Sequence, residues 1–502
     1  MKQPNILLIS SDQQHWNTIG TLNPYLVTPN LDRLAKEGIT FTRAYCANPS
    51  CTPSRASLIT GLYPSQHGAW TLGAKLPEDI PTLGGILAAA GYRTSLIGKA
   101  HFQPLRATDD YPSLESYGYL QDWDFWRNFS QDFYGFGHVE LARNHTNEQI
   151  VGQHYALWME ENGLTNWRDY FRPPAGTMDP AERGTWPLPE EYHYDAWIAK
   201  RTNALLEQFA KDDANFFLWA SFPDPHPPYL VPEPWDRMYD PQQISVPRAK
   251  PGEHATNPPH HRLTQERQPD FSHYCESGFD LLGMSSHVHD EEDLRKDIAT
   301  YYGMISMMDK YIGSILDKLD ELGLSENTIV VFTSDHGHLF GQHGLIAKGP
   351  FHYEDLLRVP LIVRYPGHAP ARAMSGALQS LVDFAPTLLS LLGLPTARHM
   401  TGVDQSAVWL GGEIPARDHI ICENHHEPTT IHLKTYEENR YKLTVYFRQI
   451  YGELFDLQDD PGELHNLWDD PRYRELREEL LLKFLWAEFG KESVWMPRIS
   501  HA

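Results

Sequence analysis

The run Cys51-Thr52-Pro53-Ser54-Arg55 places a thiol and a guanidinium one helical turn apart, where the sequence passes from loop to helix. Pro53 has the fixed φ that suits a first helical turn. Ala56, Leu58 and Ile59 then supply an apolar face, and Gly61 a C-cap. The mouth of such a helix carries unpaired N–H groups and the positive end of its dipole, so chemistry placed there favours anions. Arg55 adds a charged fork that matches a tetrahedral oxyanion. A lone Cys before a helix is by default a small buried side chain. A second reading is a thiolate nucleophile with its pKa lowered by the dipole and Arg55. What favours function is the recurrence of further ligand-type residues at strand ends along the chain.

Four apolar runs end in such residues. Asn5 to Ile9 leads into Ser10-Ser11-Asp12-Gln13, a buried parallel strand with a carboxylate at its C-terminal end, the edge where open α/β sheets bind ligands. In isolation Asp12 would read as a turn or N-cap residue. Thr328 to Thr333 is a β-branched strand closed by Ser334-Asp335-His336-Gly337, and two adjacent ligands there suit a divalent metal. Tyr92 to Gly98 is followed by Lys99 and His101, two apart and so aimed the same way. Asn215 to Phe222 runs into Pro223-Asp224-Pro225-His226-Pro227-Pro228, whose prolines bar helix and ladder and hold His226 on a rigid loop. His343 and Lys348 follow on a Gly-rich stretch.

Helical patterns at 28–38, 82–90, 195–211, 291–323 and 383–392 alternate with these strands, which suggests a doubly wound sheet. Tyr117, Tyr119, Trp123, Phe125, Trp126 and Tyr134 read as packing of a long excursion over it. The stretch 230–290 is rich in Pro and His and reads as a lid-like or oligomer-contact loop, not a metal cluster. Asp297, Tyr301 and Tyr302 are the candidates from the long helix for the mouth of the site. Beyond about residue 415 the pattern changes to short strands at 419–422, 441–446 and 452–457, closed by a helix over 473–488.

The totals set limits. A chain of 502 residues suits one large α/β domain with a smaller appendage. A net charge of −24 excludes nucleic acid as a main partner, so an anionic substrate must be drawn in by local cations. Four Cys are too few for a disulfide scaffold. The sequence shows no membrane-spanning run and no signal-peptide core, so the expected location is cytoplasmic.

Cys51-Thr52-Pro53-Ser54-Arg55, continued by Ala56-Ser57-Leu58-Ile59-Thr60-Gly61, resembles the signature of the type I, formylglycine-dependent sulfatases of the alkaline-phosphatase-like superfamily. Gly98-Lys99-Ala100-His101, the Pro-His-x-Pro element at His226 and Asp335-His336-Gly337 resemble further elements of that family. The resemblance implies a large mixed, mostly parallel sheet sandwiched by helices over residues 1–414, and a C-terminal subdomain with a small antiparallel sheet and one helix over 415–502. It implies oxidation of Cys51 to formylglycine by a formylglycine-generating enzyme. It also implies one divalent metal, calcium first and manganese second, on Asp12, Gln13, residue 51, Asp335 and His336. Arg55, Lys99 and Lys348 would neutralise the sulfate, His101 would bond a formylglycine hydroxyl, and His226, with Lys348, would assist the departing alcohol. The family usually has Asp-Asp at positions 12 and 13 and often Asn in place of His336. The Asp-Gln found here resembles relatives that hydrolyse phosphonate monoesters and phosphodiesters. The expected activity is hydrolysis of a small sugar or aryl sulfate ester, with the phosphonate monoester or phosphodiester reaction as the alternative. A non-catalytic binding protein on the same scaffold is the reading from another class. The long loops leave room for a homo-oligomer.

Overall fold

Strands buried along their whole length build the centre of the molecule, in a computed structural model that describes residues 3–143, 150–171, 183–276, 283–426 and 429–501. The large sheet contains β1 (Asn5–Ser11), β2 (Ile39–Tyr45), β3 (Arg93–Gly98), β4 (His138–Leu141), β5 (Phe216–Ser221), β6 (Thr328–Ser334), β7 (Arg358–Arg364), β8 (Ala373–Ser375) and β9 (Gln379–Ser380). Their order across the sheet is β8-β2-β7-β6-β1-β5-β3-β4, with β9 also beside β2. The strands pair in parallel except that β7 runs antiparallel to both β2 and β6. The sheet is therefore mixed and mostly parallel, as the family resemblance implies.

Side chains alternate between two helical layers, as strand geometry requires. Ile6 and Leu8 of β1 join a core with Ala56, Leu58 and Ile59 of the helix Cys51–Thr60, Leu83 and Leu87 of the helix Leu83–Ala89, and Leu388 and Leu389 of the helix Phe384–Leu391. Leu7 and Ile9 face the other way, onto Leu31 and Leu34 of the helix Pro29–Glu37, Trp197 and Leu206 of the helix Tyr194–Lys211, and Ile312 and Leu316 of the helix Glu291–Glu321. Each such side chain, fully withdrawn from water, contributes about 1.5–3 kcal/mol before conformational entropy is counted.

Register fixes the edge that matters. Ser11 pairs with Ser334, and Ser221 pairs with both Ser10 and Gly98. Chains leaving β1, β6, β5 and β3 therefore emerge side by side with Asp12, Asp335, Phe222 and Lys99.

A second, four-stranded antiparallel sheet consists of β10 (His419–His426), β11 (Ile431–Glu438), β12 (Tyr441–Tyr446) and β13 (Gly452–Asp456), in that order. The helix Arg474–Gly490 packs on it through Leu480 and Phe484. Hydrogen bonds join it to the loop before Cys51: Glu423 N donates to Ala47 O at 2.8 Å, and Asn48 Nδ2 to Glu423 O at 2.6 Å. The His-rich stretch also packs inward. His254, His260, His261 and His287 are buried, with His254 Nε2 2.7 Å from His343 O and His260 Nε2 3.2 Å from Pro350 O. These four are interior groups, two of them bracing the segment that carries Lys348, while His273 and His289 of the same stretch are exposed. No helix among the described residues is long and apolar enough to cross a membrane.

Candidate active site

The helix Cys51–Thr60 begins behind the extended Ser50 and stops at Gly61, whose left-handed φ of 66° lets its N–H reach Ser57 O. Cys51 and Arg55 lie on one side of that helix, four residues apart, and meet the edge defined by β1 and β6. Cys51 Sγ is 3.5 Å from Asp12 Oδ1, 3.3 Å from His336 Nε2, 3.2 Å from Lys348 Nζ and 4.0 Å from Lys99 Nζ. Four segments distant in sequence thus converge on one sulfur.

Arg55 is buried at the centre. Its Nε donates to Asp335 Oδ2 at 2.8 Å, and its Nη1 to Lys99 O at 2.9 Å and Ser221 Oγ at 2.8 Å. Its Nη2 is 3.7 Å from Asp12 Oδ2 and has no hydrogen-bond partner, so one donor remains for an incoming oxygen. Lys99, fully buried, forms an ion pair with Asp12. Gly98 makes this possible: its φ is +106°, and a Cβ there would lie 2.0 Å from Ser221 O.

The electrostatics follow from burial and these cations. Burial pushes the Asp12 pKa up, but Lys99, His226, Arg55 and Lys348 overcome it and hold the carboxyl well below its ordinary range. Burial raises the Cys51 thiol pKa, Asp12 adds to the rise, and the two lysines do not reverse it. With no metal ion at the site, burial and Asp12 work against the thiolate that the helix dipole and Arg55 would favour. Burial pushes His336 down to about 4, and its Nδ1 donates to Gly337 O at 3.0 Å, leaving Nε2 as a lone-pair donor toward Cys51.

The predicted residues come together with one difference of distance. Lys348 Nζ lies 3.2 Å from His226 Nε2 as well as from the sulfur, and 3.3 Å from His336 Nε2. His101 stands further back, within the field of Lys99, Asp12 and Arg55. Its backbone N–H donates to Glu115 Oε2 at 3.1 Å, and its Nδ1 is buried without a hydrogen-bond partner. His343 is held elsewhere, 2.5 Å from Glu253 and stacked on Tyr353. Of the mouth candidates, Tyr301 reaches inward and donates to Gln13 O at 2.9 Å, Asp297 pairs with Arg183, and Tyr302 packs against Tyr239. In the aromatic set, Trp126 and Tyr134 are buried in packing, as expected, whereas Tyr117 and Tyr119 are exposed.

A divalent cation fits this site. Asp12, Cys51, Asp335 and His336 each offer an atom, and these atoms all lie within 4.8 Å of one another. Gln13 is fixed beside them, its N–H donating to Asp335 Oδ1 at 2.9 Å, and its Oε1 is buried with no hydrogen-bond partner. Carboxylate and amide oxygens with one imidazole suit a hard to borderline cation.

Three supporting residues escaped the sequence reading. Ser221 accepts from Arg55 and donates to Lys99 O at 2.7 Å. Glu115 gathers the N–H groups of His101, Phe102 and Gln103 and pairs with Arg143. His338 holds Gln13. Only His338 had a usable signal, its place two residues beyond Asp335-His336.

Comparison with known proteins agrees with this architecture. The sulfatase family model matches residues 4–394, and a model of the N-sulphoglucosamine sulphohydrolase C-terminal region matches residues 341–488. The chain belongs to the sulfatase family, and it is a hydrolase of that family. It is 30% identical over 486 residues to the uncharacterized sulfatase YidJ of Escherichia coli K12, covering 96% of this chain and 86% of that one. It is also 30% identical to the multifunctional alkaline phosphatase superfamily protein PehA of Trinickia caryophylli, covering 97% and 95% of the two chains. Among solved structures, the phosphonate monoester hydrolase of Agrobacterium radiobacter superposes with a TM-score of 0.79 at 27% identity, covering 98% of this chain and 96% of that one.

Proposed function

We propose that this protein hydrolyses sulfate esters of small sugar or aryl alcohols at residue 51, matured to formylglycine, beside a divalent cation held by Asp12, Gln13, Asp335 and His336. The observation that carries the reading is the convergence on Cys51 Sγ of Asp12, His336, Lys348 and Lys99 at 3.2–4.0 Å. A neutral buried thiol is a poor nucleophile, whereas the hydrate of an aldehyde there would supply one hydroxyl to attack and another to regenerate the carbonyl. The cation, calcium or manganese, would supply Lewis-acid stabilisation of the transferring group.

The chain's own residues divide the remaining work. Arg55 Nη2, Lys99 and Lys348 supply positive charge for the oxyanion within a molecule of net charge −24. His226 Nδ1 lies 2.6 Å from Pro227 O and donates to it, so Nε2 is the ring atom that meets Lys348. The proton for the departing alcohol therefore belongs to the Lys348–His226 pair and not to His226 alone. His101, neutral through burial and the nearby cations Arg143 and Lys99, suits acceptance of a proton from a residue-51 hydroxyl. We assign residues 1–414 to the catalytic unit and 415–502 to a C-terminal subdomain, with a formylglycine-generating enzyme as maturation partner and a homo-oligomer as the assembled form.

A second reading, phosphonate monoester or phosphodiester hydrolysis, is favoured by one residue. Gln13 removes a negative charge from the ligand set, and a solved phosphonate monoester hydrolase shares the fold at 27% identity. The test is turnover of an aryl sulfate by protein whose residue 51 is shown by peptide mass to be the aldehyde. Absence of turnover with aldehyde-bearing, metal-loaded protein would overturn the sulfate reading.

A further inference from the structure

Among the candidate metal ligands, Gln13 has a side chain that carries both an acceptor and a donor, so something must decide which end meets the cation. Its Nε2 lies 2.7 Å from His338 Nδ1, and His338 Nε2 lies 2.8 Å from Tyr229 Oη. All three residues are buried. An amide NH₂ only donates, so His338 Nδ1 accepts, and its ring proton sits on Nε2, where it donates to Tyr229. The imidazole plane is fixed by stacking on Tyr301, with centroids 5.4 Å apart and planes 19° apart, and by Phe340 at 4.2 Å. The opposite amide orientation would turn two N–H bonds toward a cation. The orientation present leaves Oε1, buried and unpartnered, as the free end.

We propose that His338, set by Tyr229, is a positioning residue that selects a neutral amide oxygen as the ligand at position 13. This rests on the metal site proposed above and adds a rule to it. A carboxylate at position 13 would accept from His338 Nδ1 and so call for the other imidazole tautomer, whereas the Gln13 amide donates to Nδ1 and fixes the tautomer with its proton on Nε2. The departure from Asp-Asp is then compensated two residues beyond the Asp335-His336 ligands, and position 13 carries one negative charge fewer.

The test is calcium and manganese binding by metal-stripped full-length protein, measured by calorimetry together with the thermal midpoint with and without metal. His338→Ala should weaken metal binding about 10–100-fold, the usual effect of losing a ligand's support. It should also shrink the metal-induced rise in midpoint. His338→Asn, whose Oδ1 can replace the Nδ1 acceptor, should restore much of the affinity, and Tyr229→Phe should fall between. Wild-type affinity in His338→Ala, or failure of Asn to do better than Ala, would overturn the proposal. Should the Ala variant not fold, Tyr229→Phe with unchanged affinity would do the same. Wild-type protein that binds neither metal would instead overturn the metal-site reading on which this rests.

Discussion

Arg55 Nε lies 2.8 Å from Asp335 Oδ2, and this one bond ties the helix that begins at Cys51 to the strand end that carries Asp335 and His336. The same guanidinium reaches Lys99 O and Ser221 Oγ, so three of the four converging strand ends are referenced to a single planar group. The fork geometry is what Lys cannot reproduce.

Arg55→Ala should therefore damage the fold as well as the reaction. Removing one member of a buried, hydrogen-bonded ion pair costs about 3–5 kcal/mol. Arg55→Lys should keep the charge but lose the bonds to Lys99 O and Ser221. Urea unfolding, monitored alongside activity, checks both. Unchanged stability in the Ala variant would mean that Asp335 finds another partner.

Gly98→Ala probes the route by which Lys99 arrives. A Cβ 2.0 Å from Ser221 O at φ +106° must shift either β3 or β5. The expected cost exceeds about 2 kcal/mol, with a loss of turnover larger than the loss of stability explains, because Lys99 and Ser221 move together. Thermal midpoint and kcat/KM give the two numbers.

Cys51→Ser should lose at least about 10³-fold in turnover, since a serine ester cannot eliminate sulfate and stops after one event. A single burst without further product is the expected trace. Sustained turnover by that variant would contradict the aldehyde scheme.

Away from the site, Glu453 gives a pH dependence with a defined sign. Burial raises its pKa to about 7, opposed by the hydrogen bond from Tyr446 at 2.7 Å and by Lys442. The folded state thus holds a proton that the unfolded chain releases near its ordinary carboxylate value. The associated stability is present below about pH 4.5 and is lost as pH rises through about 7, amounting to about 3 kcal/mol at most. Glu453→Gln keeps the acceptor for Tyr446 and should flatten the slope of unfolding free energy against pH in that window. A slope identical to wild type would place the titration elsewhere.

The reactive constellation was legible because strand ends and a helix start impose it. Apolar runs ending at Asp12, Lys99, His226 and Asp335 put polar groups at one sheet edge, and Cys51-x-Pro-x-Arg55 marks the helix that faces them. Other features depended on partners that no local pattern reveals. β7 looks like any buried strand, and its antiparallel direction is set by neighbours on both sides. β11 reads Ile-His-Leu-Lys-Thr-Tyr-Glu-Glu, too polar to stand out, because its buried Glu437 is balanced by Arg43 and Tyr45 from the large sheet. The inward packing of His254 and His260 had no local signal because their acceptors, His343 O and Pro350 O, lie about ninety residues away. His338 was missed since its role appears only against Gln13, 325 residues earlier.

Residue 51, once oxidised, is proposed to act on sulfate esters. The measurement that tests it most directly is kcat/KM on a matched panel of aryl sulfate, aryl phosphodiester and phenylphosphonate monoester, using protein whose residue 51 is confirmed as aldehyde by peptide mass. The sulfate should give the highest value, by at least about tenfold or roughly 1.4 kcal/mol of transition-state discrimination. A higher value for the diester or phosphonate would contradict it, and would make the neutral ligand Gln13 the residue that decides the reaction.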